Sequence, residues 1–270
     1  MALVFDQPGS PRRGPRPAAN LRSFAPREHG AYGQLLFPLA VAHLTARPTI
    51  AGGLFTVAAM AAFVGHEPWL VLLGRRGARA EREFGSRARL VLALCLVIGV
   101  TTAGIGLAFA SPAARQGAVL PALAALIAGI VVRLDAERTL GGELVVAAAL
   151  PALAVPVALA GDVQPARAFA TWAVWMLGST AAVGAVRALI SHLKEPIGVL
   201  RRSLAPLVVL GMAGMASALH LLDAKAVVAL VPVVEVAAAT AVLAPHPRHL
   251  RSVGWALVAA NAITAVLLCL

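Results

Sequence analysis

The chain alternates long apolar runs with short polar punctuation. Apolar segments occupy roughly 31–46, 49–66, 89–110, 117–133, 141–160, 166–190, 203–221, 226–244 and 252–270. Most approach the ~20 residues an α-helix needs to cross the hydrocarbon of a bilayer. Helix is the conformation expected for each, because an irregular backbone facing lipid would leave amides unpaired. The pattern therefore predicts an all-α fold, a polytopic transmembrane helical bundle of about nine spans. The preceding stretch, residues 1–23, contains PGSPRRGPRP and reads as a flexible basic cytoplasmic tail. Residues 24–270 read as a single transmembrane helical domain. Arg12–Arg13 is not followed directly by an apolar core and a small-residue cleavage site, so no removable signal peptide is expected.

Composition narrows the class. Of the 270 residues 60% are hydrophobic and 13% charged, against about 45–50% and about 25% in soluble domains. A soluble globular enzyme, a secreted disulfide scaffold and a disordered chain are excluded. Cys95 and Cys269 both lie in apolar runs, where a thiol behaves as a small hydrophobe. The net charge of +11 could suggest nucleic acid, but the arginines fall between apolar runs, where basic residues set orientation. No nucleic-acid partner is expected; membrane lipids are. With the N-terminus in the cytoplasm, four cations, Arg47, Arg115, Arg167 and Lys225, fall on the far side, and the other Lys and Arg at or near cytoplasmic helix ends. This bias predicts a cytoplasmic (inner) membrane protein, N-terminus in and C-terminus out.

Candidate chemistry clusters at those same ends. PREHGAYGQLLFP, from Pro26 to Pro38, puts Glu28 and His29 at the entrance to the first helix, followed by small Gly30, Ala31 and Gly33. These two side chains would line a headgroup-level pocket, or merely cap the helix. His66-Glu67-Pro68 ends the second segment, and the proline is expected to break the helix beside the carboxylate. His192-Leu193-Lys194-Glu195-Pro196 repeats the theme, with Lys194 as an alternative partner for Glu195. Both stretches, GHEPWLVLLGRRG and SHLKEPIGVLRRS, run from His through Glu-Pro to Arg-Arg. A parallel four-helix repeat with a ninth helix added would generate them.

Three His/Glu pairs thus arise: Glu28/His29, His66/Glu67 and His192/Glu195. If they converge, they would serve as catalytic acids and bases or hold a divalent metal such as zinc, iron or manganese. No H-E-x-x-H motif accompanies them. Arg75, Arg76, Arg201 and Arg202 close the two copies, and their guanidinium forks suit an anionic substrate. Their plainer role is orientation and contact with anionic lipid. Arg187 and Glu235 lie deep in apolar segments, where a charge normally faces the bundle interior and finds a partner. They are expected either to bind substrate or to pair with each other. Glu143 is read as a helix-dipole residue. Asp135, Glu137 and Arg138 are read as loop charges, and His43, His220, His246 and His249 as interfacial anchors.

PREHGAYGQLLFP and GHEPWLVLLGRRG resemble the signature segments of the YwiC-like family of bacterial integral membrane proteins. Tyr32 stands where the family pattern is nearer Trp. The resemblance implies a membrane protein and brings no established activity. A second resemblance, of layout alone, is to UbiA-type prenyltransferases, which have nine helices and polar loops after helices two and six. Those enzymes hold Mg²⁺ and a prenyl diphosphate on Asp-rich motifs; here neither loop carries an aspartate, and Glu67 and Glu195 are the nearest substitutes. Three readings follow: a UbiA-like enzyme handling a lipid or isoprenoid, a proton-coupled transporter of a small solute or anion using Glu235, and a non-catalytic assembly partner.

Overall fold

The computed structural model describes residues 29–137, 139–194, 198–246 and 249–270, and among these there are helices and turns but no strand. The basic tail, Glu28, the His29 side chain and Glu195 lie outside the described residues. The chain opens with α1 (His29–Thr45) and α2 (Ile50–Leu72), then α3 (Ala78–Phe109). Next come α4 (Pro112–Gly117) and α5 (Val119–Arg133), which together make one crossing, and α6 (Leu140–Ala152) and α7 (Ala154–Ala160), which make another. The remainder is α8 (Pro165–Lys194), the single turn α9 (Val199–Arg202), α10 (Leu204–Ala218), α11 (Ala224–Leu243) and α12 (Leu250–Cys269).

Each of the nine apolar segments is helical. Seven are long and apolar enough to cross a membrane. The other two, α1 with 17 residues and α10 with 15, are shorter. At 1.5 Å per residue α10 covers about 22 Å of a ~30 Å hydrocarbon layer. Thr49, Ser111, Thr139 and Asp223 start their helices by accepting a hydrogen bond from the amide three residues on.

Pro68 does not end its helix, contrary to expectation. α2 runs through it to Leu72, and Pro38 and Pro232 likewise sit inside continuous helices. A proline removes one amide donor, which a long helix fixed by neighbours on both sides can tolerate.

α1 lies between two apolar cores. Its Leu35, Leu39 and Ala42 pack with Phe55 and Phe63 of α2 and with Val155 and Leu159 of α7. Its Val41 joins Val174 and Trp175 of α8, Val209 of α10, Leu230 and Val234 of α11, and Leu268 of α12. Alanines buried without exposure, such as Ala114, Ala181, Ala229 and Ala237, let the backbones approach closely. Two interhelical hydrogen bonds add to this: Thr264 Oγ1 donates to the Ala229 carbonyl at 2.7 Å, and Trp172 Nε1 to that of Ala148 at 3.0 Å. Outward faces are apolar, with Leu90, Leu94, Val97 and Val100 projecting from α3, which packs mainly on α2. A bundle that turns Leu and Val outward on this scale belongs in hydrocarbon.

The two ends of the bundle differ. At one, Arg115 donates to the Leu107 and Ala108 carbonyls that finish α3, and Arg167 to the Leu268 carbonyl that finishes α12. Two of the four cations on this side therefore satisfy orphan helix-end carbonyls. The other end collects the 73–77 turn, the residues that follow α5, α9 and the residues that follow α11, and with them most of the arginines among the described residues.

Close approach between α8 and α10 depends on Gly184, where an added Cβ would collide with the Ala205 side chain. Gly184→Ala is expected to destabilise by about 1–3 kcal/mol through overpacking. Thermal unfolding in detergent checks it against Gly53→Ala, where a Cβ meets nothing within 4 Å and the unfolding temperature should hold or rise.

Candidate functional site

The α2–α3 turn places the first Arg-Arg pair. Gly74 and Gly77 adopt positive φ (71° and 89°), and fold the chain back so that Arg76 meets Glu67, nine residues earlier. Glu67 is only 7% exposed. Arg76 grips its carboxylate with both arms of the fork, Nε to Oε1 at 2.8 Å and Nη2 to Oε2 at 2.6 Å. Arg75 turns the other way. Its Nη2 donates to the Val132 and Arg133 carbonyls ending α5, at 3.2 and 3.0 Å, and its Nη1 lies 2.7 Å from Asp135 Oδ1. Both guanidiniums are thus engaged by the protein itself and join three helices. His66, beside Glu67 in sequence, points outward, with its ring edge-on to Trp69 at 6.3 Å.

Arg187 does not pair with Glu235, as the sequence suggested. It crosses from α8 to α6 and binds Glu143, Nε to Oε2 at 2.6 Å and Nη2 to Oε1 at 3.2 Å. Glu143 is therefore more than a dipole residue, and Asp135 more than a loop charge. Glu235 faces outward from the middle of α11, on one stripe with Val228, Val231 and Val242. The interior face of that helix is already filled by Leu230, Val233, Val234 and Ala237.

The second Arg-Arg pair stands differently. Arg187, Arg201 and Arg202 line a cavity of about 720 Å³ between α6, α8 and α10. Its apolar wall comes from Leu140, Leu144, Leu204 and Val208, three of which also face outward. Arg202 is 6% exposed, its Nε has no hydrogen-bond partner, and its Nη2 reaches the Val242 carbonyl only at 3.4 Å. Arg201 is exposed on the rim. Among the described residues no carboxylate lines the cavity. Ser191 and Thr180, also on its wall, are small polar residues that nothing in their sequence context singles out.

The sequence-predicted residues therefore separate into groups. Glu67, Arg75 and Arg76 hold the α2–α3 turn to α5. Arg187, Arg201 and Arg202 share the cavity. His192 lies on α8 one residue beyond the lining residue Ser191, and Glu235 stands apart on α11. Among the described residues no three His, Cys, Asp or Glu side chains group closely enough to hold a metal ion. Breaking the Glu67 pair leaves a charge in a buried position. Arg76→Gln is expected to lower stability by about 2 kcal/mol, discounted from the fully buried case because Arg76 is partly exposed. A double-mutant cycle with Glu67→Gln, read by thermal unfolding in detergent, should show the second substitution recovering part of that loss.

No curated protein and no solved structure matches the chain. The family model of the YwiC-like protein matches residues 25–159, from the entrance of α1 to the end of α7. The match includes the Glu67–Arg76 and Arg75–Asp135 pairs and stops short of Arg187, Arg201 and Arg202. Covering half of the sequence, it shows that the chain belongs to the YwiC-like family.

Proposed function

We propose that this protein is a lipid-handling membrane protein of the cytoplasmic (inner) membrane. In its enzymatic form it would be a UbiA-like catalyst acting on an anionic lipid or isoprenoid. The observation that carries this reading is the arginine cavity, whose cationic floor and apolar, outward-facing rim suit a molecule with a charged head and an oily tail. The shortness of α10, about 22 Å against a ~30 Å hydrocarbon layer, supports entry from the side. Arg201 and Arg202 would hold the head. Arg187, with Glu143, would order it. His192, close to the lining, is the candidate acid or base on this side. A fit for a divalent metal would have to draw on Glu28, His29 and Glu195 as well.

In the orientation with the N-terminus in the cytoplasm and the C-terminus outside, the arginine end faces the cytoplasm, as the bias of basic residues favours. Reporter fusions check this: one after Leu270 should be active only with a reporter that works outside the cytoplasm, and one between α5 and α6 only with a cytoplasmic reporter. For the function itself, extracted lipids and isoprenoids of a deletion strain should differ from the parent, and Arg202→Gln should reproduce the difference. An unchanged profile would remove the enzyme.

A second reading rests on Glu235. A carboxylate at mid-membrane costs about 2.5–3.5 kcal/mol on the mildest scale, and such residues often carry protons. No ion pair is made by Glu235 among the described residues. If the protein is a proton-coupled transporter of a small anion, Glu235→Gln should abolish the pH dependence of uptake in proteoliposomes. Uptake that keeps its proton dependence would defeat coupling through this residue.

A further inference from the structure

We infer that the cavity between α6, α8 and α10 recognises a terminal phosphate, carrying two negative charges, on a single-chain amphiphile; this rests on the lipid-handling reading and narrows its substrate class. The argument begins with charge. Of the three guanidiniums in the lining, Arg187 is met by Glu143. Arg201 and Arg202 have no carboxylate partner among the described residues. Arginine cannot neutralise itself by losing a proton. The guanidinium of Arg202, 6% exposed, calls for an anion nearby.

Geometry then selects the anion. Arg202 Nε has no partner, and its one contact, Nη2 to the Val242 carbonyl, is at the long limit of 3.4 Å. The Nε–Nη2 edge that grips a carboxylate in Arg76 and Arg187 meets only the Val242 carbonyl in Arg202, whose Nε is buried. The charge of Arg202 is thus left to the cavity it lines, where a phosphate oxygen is a charge-assisted acceptor. Two unmatched cations balance a phosphomonoester dianion, whereas a phosphodiester such as an ordinary bilayer lipid brings one charge. The volume of about 720 Å³ far exceeds a phosphate ion, and Leu144, Leu204 and Val208 offer the excess as apolar wall.

The test uses three probes on the full chain in neutral detergent: dodecyl phosphate, dodecyl methyl phosphate and inorganic phosphate, each followed by thermal stabilisation over a concentration series. Dodecyl phosphate should bind at least tenfold more tightly than its methyl ester, and inorganic phosphate more weakly still. Arg202→Lys keeps the charge and loses the fork, and should cut the preference for the monoester severalfold. Arg201→Gln, on the exposed rim, tests the second charge even if Arg202 variants fail to fold, and should reduce the preference as well. Equal binding of the two alkyl esters would overturn the dianion claim while leaving a lipid-handling protein. Inorganic phosphate binding as tightly as dodecyl phosphate would overturn the amphiphile and indicate free phosphate. Failure of all three probes, alongside a changed lipid profile in the deletion strain, would refute this inference and spare the broader reading; failure of both would end both.

Discussion

An arginine carried into a low-dielectric interior keeps its charge, and the architecture of one end of this bundle follows from that. Arg76 is bound by Glu67, Arg75 by Asp135 and the last carbonyls of α5, and Arg187 by Glu143. Each pair ties together segments separated by a turn or by whole helices: α2 to its own turn, that turn to α5, and α8 to α6. Exposed ion pairs are worth little. The Glu67 pair differs, because breaking it would strand a carboxylate whose side chain is only 9% exposed. The pairs act less as a source of stability than as rules on which helices sit side by side. Among the described residues Arg202 is buried without an acid, and it lines the cavity.

The crossings were legible in the sequence because hydrocarbon leaves a peptide few options. Each helix satisfies its own amides, so a run of apolar residues is enough to announce it. The interruptions at Ala118 and Leu153 were not announced. Pro68 looked like a stop and is not one, since α2 is held by α1, α3 and α7 packed around it. Local propensity gave way to tertiary support there, as it commonly does for proline in membrane helices.

The site was less legible than the helices. That Arg75, Arg76, Arg201 and Arg202 collect at one end could be read from spacing, but their partners could not. Glu67 and Arg76 meet only because two glycines with positive φ reverse the chain between them. Glu143 and Arg187 are 44 positions apart and meet through the packing of α6 on α8. The sequence offered Glu235 as a counter-ion because both charges are deep; the faces of α8 and α11 on which they project decide otherwise. Two short segments with the same His, Glu-Pro and Arg-Arg order have thus taken different physical roles. In the first the arginines are bound to protein acids, and in the second they face open volume.

That divergence bears on where function can reside within the family. The matched region, residues 25–159, contains the closed arginine turn and the α6 carboxylate Glu143, all of which serve to fix helices. The arginines left facing the cavity come from the second half of the chain. Yet the cavity is built from both halves, since Leu140 and Leu144 of α6 form one wall and Glu143, between them in sequence, anchors Arg187 on the other. The first half thus supplies a rigid wall with one fixed acid, while α8 to α10 supply the unmatched charge. Glu143 therefore serves both the packing of α6 on α8 and the orientation of an arginine in the cavity lining.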